Sequence, residues 1–545
     1  MTTIDPHALP ASSDGSFVAS VGGWVTTTDH KRLGRLHLAV AGLVALAALA
    51  VAALLAFERI DTASVSLELG GLTQMFSFAR FGLTYLVMLP LVVGLGLAIV
   101  PLQLGARSLA FPRLAATGFW LWLVGGVLAV IAIAANGGPN GGNPRFVDLF
   151  SLSAGLVVLG LLASLVCLGT SIMTTRAPGL NMRRLPFFSW SILVLALGAV
   201  IALPIAAADL LVVFLAHKYP SLSELSGNRA LGDWVGFAFT QPVTLVFAVP
   251  VLGLLGDVVG TATRSRLTPR GPILGALGLA GLGVLAAAIQ TPVFLSSGFS
   301  DLSANDKVAE LLPFLLVQVL PLAGTFLAVA LVAGGLRTKP KVSAALVFAL
   351  LGALEVLAGA AAGVLHHIGD AGLQGSVFEE GTWLLLVGGV LLGAMGGVAH
   401  WGPKWWGRRI SDKAALPLAL LAFVGVELAS VPMLIAGFAD QPGAVFPAVE
   451  AGPSVVEFSY SGPASLWNTL SAVGLALLLV AVLAFVLLAL RSFTSGDAAG
   501  DDPWDGLTLE WATTSPAPAD NFAALHAVRS AEPLLDLKPS TRSDA

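Results

Sequence analysis

Residues 78–100 read FARFGLTYLVMLPLVVGLGLAIV, a run of 23 positions with a single charge, Arg80. About 20 mostly apolar residues in helical form cross the hydrocarbon core of a bilayer. Eleven further stretches qualify, near 36–57, 118–135, 150–173, 187–215, 234–256, 272–295, 311–335, 343–365, 382–399, 416–437 and 466–490. The whole chain agrees, since 56% of its 545 residues are hydrophobic and 11% charged. Ordinary soluble domains carry about 25% charged residues, and disordered chains are more polar still. A net charge of −4 offers no argument for nucleic acid as a partner. Cys167, the lone cysteine, allows neither a disulfide framework nor a thiolate metal site. The first thirty residues lack the short apolar core of a signal peptide. The fold class is an all-α polytopic membrane protein with twelve transmembrane helices, and the lipid bilayer is its first partner.

Basic residues alternate between loops in support of that count. One set of loops holds Lys31, Arg32, Arg35, Arg107, Arg113, Arg176, Arg183, Arg184, Arg264, Arg266, Arg270, Arg337, Lys339, Lys341, Lys404, Arg408, Arg409 and Lys413. The other set holds Arg59, Arg145, Lys218, Arg229 and Lys307. The asymmetry predicts that both termini are cytoplasmic. It divides the chain into a polar N-terminal segment (1–30), a twelve-helix membrane domain (31–492) and a polar cytoplasmic tail (493–545), the last too poor in apolar residues to fold alone.

Three strings carry a family resemblance: TTTDHKRLG at 26–34, PLQLGARSLAFPR at 101–113 and PWDGLTLEWATTSP at 503–516. They resemble, in turn, the segment before the first helix, the loop between helices two and three, and the tail after helix twelve of haem-copper oxidase subunit I. Leu203-Pro204, Pro242, Pro403-Lys404 and Pro432-Met433 add weaker matches along the middle. The tail is most similar to those of actinobacterial members, which implies a bacterial cytoplasmic membrane. The resemblance implies twelve helices with both ends inside and partners like oxidase subunits II and III. It also implies cytochrome c or quinol oxidation with oxygen reduction and proton pumping. That chemistry needs six histidines: two for a low-spin haem, one for a high-spin haem and three for copper.

The six positions hold other residues. Counting back eleven from Pro90, or 22 from Pro101, reaches Ala79 both times, where the family places its first low-spin ligand. The helix-six motif of ligand, glutamate and tyrosine falls on Gln241-Pro242-Val243-Thr244-Leu245, and the helix-seven pair on Thr291-Pro292. Counting 22 back from Pro403 puts Gly381 and Trp383 where helix ten should carry His-x-His. Supporting positions change too: Ser108 and Ala115 replace the proton-uptake aspartate and asparagine, and Gly443 and Ala444 the propionate-binding arginines. Leu373 stands for an outer histidine, and no lysine occurs between Lys307 and Lys339. Tyr85, Tyr219 and Tyr460, the three tyrosines, all lie outside helix six. His7, His30, His37, His217, His366, His367, His400 and His526 sit in termini or near helix ends, so no register supplies the six ligands. The expectation is a non-catalytic subunit, a pseudo-oxidase without haem or copper at the family sites. The alternatives are an active terminal oxidase, and a proton or ion transporter using the emptied cavities.

Other residues invite a site. His366-His367 at the outer end of helix nine, with Asp370, Glu379 and Glu380 nearby, reads as a solvated loop pair or as a divalent-metal or proton site. His37 and His400, both near the inner face, read as local packing or as a new haem site. Asp209, Glu355 and Glu427 fall inside apolar runs, where each ionisable group costs roughly 2.5–3.5 kcal/mol on insertion scales. Glu355 and Glu427 read as hydrogen-bonded glue, as a proton or ion path, or as a pair with Arg80, and Asp209 reads with them as a coupling group for transport. Arg80 itself can snorkel to the interface. Trp401, Trp405 and Trp406 read as an interfacial belt.

Overall fold

A computed structural model describes residues 17–60, 69–219, 221, 243–287, 289, 293–295, 299–443, 463–523 and 528–537. Twelve helices in it are long and apolar enough to cross a membrane: α1 (His30–Glu58), α2 (Gly71–Gln103), α3 (Pro112–Ala134), α4 (Pro144–Thr174), α5 (Phe187–Lys218), α6 (Thr244–Thr263), α7 (Arg270–Ala287), α8 (Ala304–Thr338), α9 (Ala344–His366), α10 (Val377–Trp406), α11 (Asp412–Phe438) and α12 (Ala464–Ser495). The twelve predicted stretches each correspond to one of them. The predicted start of helix six at 234 lies outside the described residues. Helix seven is described as far as Ala287, its last turns tightening into a 3-10 helix over Gly281–Ala287, and residues 293–295, at the end of the predicted stretch, are not helical.

Side-chain caps set several starts. Asp29 accepts from the Lys31 amide ahead of α1, Asn143 from Arg145 ahead of α4, and Ser376 from Phe378 ahead of α10. Gly407, at φ 72°, ends α10 in the left-handed conformation that glycine adopts without a Cβ penalty. Pro90 and Pro321 lack the N–H a helix needs and crowd the carbonyl four residues back. The chain absorbs each by loosening into a π-helical stretch, Gly82–Met88 in α2 and Leu315–Val319 in α8.

Nine helices surround three. The central ones, α2, α6 and α10, have 100%, 94% and 94% of their most apolar window buried, against 33–61% for the others. Consecutive helices pack side by side around the outside, and α12 returns to pack against α1 and close the ring. Lipid gives no hydrophobic drive for helix association, so close packing at small residues has to supply it. At the α11–α12 seam, a Cβ on Gly474 would lie 2.2 Å from the Ala429 amide nitrogen, and one on Gly425 would lie 2.7 Å from that of Leu478. The tail beyond α12 does not hang free: residues 503–522 fold over the ends of α1, α2, α6 and α10 on the face that carries the basic loops.

Candidate functional site

The central helices bring three of the six family ligand positions into the described core. Ala79 on α2 is buried. A Cβ on Gly381 would stand 2.9 Å from the Ser430 carbonyl and 3.1 Å from Leu434, so α10 and α11 touch where a ligand side chain would have to emerge. Trp383 is buried, donates its indole N–H to Thr84 Oγ1 at 3.0 Å, and carries the Arg80 guanidinium 4.7 Å above its ring. Rings occupy the neighbouring space: Tyr85 lies 5.9 Å from Phe81 and 6.0 Å from Phe247, and Phe81 lies 5.2 Å from Phe150. Gln241, Thr291 and Pro292, with Ala444, lie outside the described residues.

Arg80 has an acidic partner at the outer end of the bundle. Its guanidinium meets Glu379 at 2.6 Å, as Arg59 meets Glu380 at 2.7 Å, and the two bridges tie α2 and the end of α1 to the start of α10. That pairing also corrects the expectation of a partnership between Arg80 and Glu355 or Glu427. His366-His367 is not a solvated pair. His367 is buried with Nδ1 on the Gly363 carbonyl at 2.8 Å, and His366 stacks on Phe378 with both ring nitrogens buried and without a hydrogen-bond partner. Burial depresses the basicity of His367 to about 4. Among the described residues no three His, Cys, Asp or Glu side chains are grouped as a metal site would need.

His37 and His400 have separate surroundings. His37 bonds the Leu33 carbonyl at 3.0 Å and stacks on Trp122 at 5.2 Å, whereas His400 sits among Trp401, Trp504 and Trp511 at 5.3–6.1 Å. Local packing accounts for both. Trp401 and Trp405 are buried rather than lying in an interfacial belt, and Trp401 donates to Glu510 of the tail at 3.3 Å. Asp209 is buried on α5 with Oδ2 unbonded, apart from the other intramembrane acids.

Sequence reasoning missed the most developed polar cluster. Gln103, Asp257 and Glu510 meet in the interior, the Gln103 amide donating to Asp257 at 2.8 Å and to Glu510 at 3.1 Å. Ser189 donates to the Gln103 carbonyl oxygen at 2.6 Å, and the Asp257 carboxylate accepts from the Phe187 and Phe188 amides. An acid on α6 thus satisfies the open amides at the start of α5. Lys404, fully buried, donates to the carbonyls of Asp501 at 2.8 Å and Thr513 at 2.6 Å. At the tail's far end Asn521 meets His30 Nε2 at 3.0 Å, accepts from Lys31 at 2.8 Å and donates to the Ala106 carbonyl at 2.7 Å. Asp257 escaped notice because the apolar run of helix six ends at 256 whereas the helix continues to Thr263. A second missed group is Asp148, which holds His217 at 2.7 Å and Lys218 at 3.2 Å.

Burial raises the proton affinity of the Glu510 carboxyl, whose Oε2 has no hydrogen-bond partner. A carboxyl that holds its proton more tightly when the tail is docked supports docking fully below the ordinary carboxylate range, and loses that support as pH rises through the raised value. Hydrogen-exchange protection of residues 503–522, corrected for the intrinsic pH dependence of exchange, is expected to fall with rising pH. In Glu510→Gln that fall is expected to be lost.

The sequence profile of the family described as "Cytochrome C and Quinol oxidase polypeptide I" matches residues 32–474. Cytochrome c oxidase subunit 1 of Bacillus subtilis is 24% identical over 546 residues, covering 94% of this chain and 82% of the relative. That of Corynebacterium glutamicum is 27% identical over 573 residues, covering 98% and 92%. The heme-copper oxidase subunit I+III of Aeropyrum pernix is 28% identical over 544 residues, covering 94% of this chain and 63% of the longer one. Among solved structures, a heme-copper terminal oxidase dimer shares the fold with a TM-score of 0.65 at 16% identity, over 86% of this chain and 84% of that one.

Proposed function

The chain belongs to the cytochrome c and quinol oxidase polypeptide I family, and from that premise we propose that it is a non-catalytic member, a pseudo-oxidase subunit. It is a multi-pass protein of the bacterial plasma membrane. In this reading both ends are cytoplasmic, as the basic loops favour, and the chain assembles with subunits like oxidase subunits II and III in a respiratory membrane complex. The carrying observation is the chemistry at the ligand positions of the central helices. Iron and copper take imidazole, thiolate or thioether donors. Ala79 offers a methyl group and Gly381 a hydrogen. The indole nitrogen of Trp383 has no lone pair in the ring plane, and its N–H is already given to Thr84. Gln241, Thr291 and Pro292 are no better as donors. The residues present do not fit either haem or the copper ion, so no electron-transfer step is assigned to them.

What remains is a framework. The bridges Arg59–Glu380 and Arg80–Glu379 on one face and the docked tail on the other hold a rigid bundle that a complex can be built against. The test is haem and copper quantitation on the chain purified from native membranes, with a reduced-minus-oxidised spectrum. The expected result is well below one haem and one copper per chain, with co-purification of an oxidase-like subunit. One haem per chain, with the absorption bands of histidine-ligated iron, overturns the proposal.

A further inference from the structure

Two adjacent glycines on α10 fix the relative depth of α9 and α11. A Cβ on Gly388 would lie 2.5 Å from the Val426 methyls, and one on Gly389 would lie 2.8 Å from a Val356 methyl and 2.9 Å from the Gly352 carbonyl. The chain neighbours of those two valines are Glu427 and Glu355. Each acid falls near the middle of its helix, and the packing through α10 places the two at one level of the membrane. Glu355 is 0% exposed, and neither of its carboxyl oxygens has a hydrogen-bond partner. Glu427 is half-buried, and its carboxyl is near enough to interact electrostatically with that of Glu355; among the described residues it is the charged group that does so. One turn along α11, the Ser430 hydroxyl is fully buried and also lacks a partner.

A structural role predicts that these polar groups bond to something, because an unbonded polar group in an apolar interior costs several kcal/mol. Arg80 is engaged with Glu379, and among the described residues no basic side chain pairs with either acid. Oxygen-bearing side chains without donors around them are the complement of a cation. A dehydrated calcium ion takes six to eight oxygens and magnesium gives up water reluctantly, whereas two carboxyl groups supply four. We propose that Glu355 and Glu427 form an intramembrane site for a monovalent cation, a proton or a sodium ion, reached past the half-exposed Glu427. This goes beyond the framework role and does not depend on it.

The test uses the full-length chain in lipid nanodiscs and a hydrophobic carbodiimide, which partitions into the bilayer and adds to a protonated carboxyl. Modification is mapped by peptide mass spectrometry across pH 6–9, in sodium chloride and in choline chloride. Glu427 is expected to react, with the rate falling several-fold as pH rises, and Glu427→Gln to remove the adduct. In Glu355→Gln the pH at half-rate is expected to move by one unit or more. Several-fold protection by sodium assigns the site to sodium, whereas equal rates in the two salts with the pH dependence intact assign it to the proton. Absence of any adduct on both acids, or an identical Glu427 profile in wild type and Glu355→Gln, overturns the site. Should Glu355→Gln not accumulate, the wild-type chain carries the test: Glu427 modification indifferent to pH and sodium alike overturns it.

Discussion

Replacing Gly474 with valine is expected to prevent the bundle from closing. The new Cβ would meet backbone on the facing helix, 2.2 Å from the Ala429 amide nitrogen and 2.5 Å from the Leu428 carbonyl carbon. A side chain in that position could swing away; main chain cannot, so α12 must move off α11. Overpacking a well-filled interior costs about 1–3 kcal/mol, and more where nothing yields. Fluorescence-detected size exclusion is expected to show most of the Gly474→Val protein in the void volume. Gly42→Val, where a Cβ meets nothing within 4 Å, is the matched control on a lipid-facing surface and is expected to behave as wild type.

Removal of the Asn521 side chain is expected to release the tail. Asn521 adopts φ 65° and bonds His30, Lys31 and Ala106, all buried. Each group left without a partner costs about 1–3 kcal/mol. Two variants separate the backbone from the amide. Asn521→Gly keeps the left-handed conformation at no steric cost and loses only the hydrogen bonds; its tail is expected to be cut by protease at least tenfold faster. Asn521→Leu adds the strain of a branched side chain at positive φ and is expected to be worse still. Equal cutting of wild type and Asn521→Gly would mean that the three bonds contribute nothing to docking.

The architecture was legible where it rests on one-dimensional signals. Apolar runs of spanning length located all twelve helices, and Pro90, Pro101 and Pro403 indexed the central positions that hold Ala79, Gly381 and Trp383. Helix ends were less legible, because hydropathy does not register hydrogen bonding. The apolar run of helix seven continues to 295, where the chain is no longer helical, and α6 carries Asp257 beyond the end of its own apolar run. Partnerships were not legible at all. Arg80 and Glu379 are 299 positions apart, and Lys31 and Asn521 are 490 apart. The carboxylates stood out in the sequence as costly, yet only packing through Gly388 and Gly389 puts Glu355 level with Glu427.

Closure of the ring by α12 against α1 also sets an order of events in synthesis. Of these twelve helices α1 leaves the ribosome before the rest and α12 after them, with some four hundred residues between Glu58 and Ala464. At roughly 5–20 residues per second that interval is on the order of tens of seconds. Throughout it, the seam of α1 that will meet α12 faces lipid or an insertion factor. His30 and Lys31 wait longer, for Asn521. A nascent chain is therefore exposed to quality-control proteases until α12 and the segment that carries Asn521 arrive, and ribosome stalling before that point is more damaging to this protein than its average thermodynamic stability suggests.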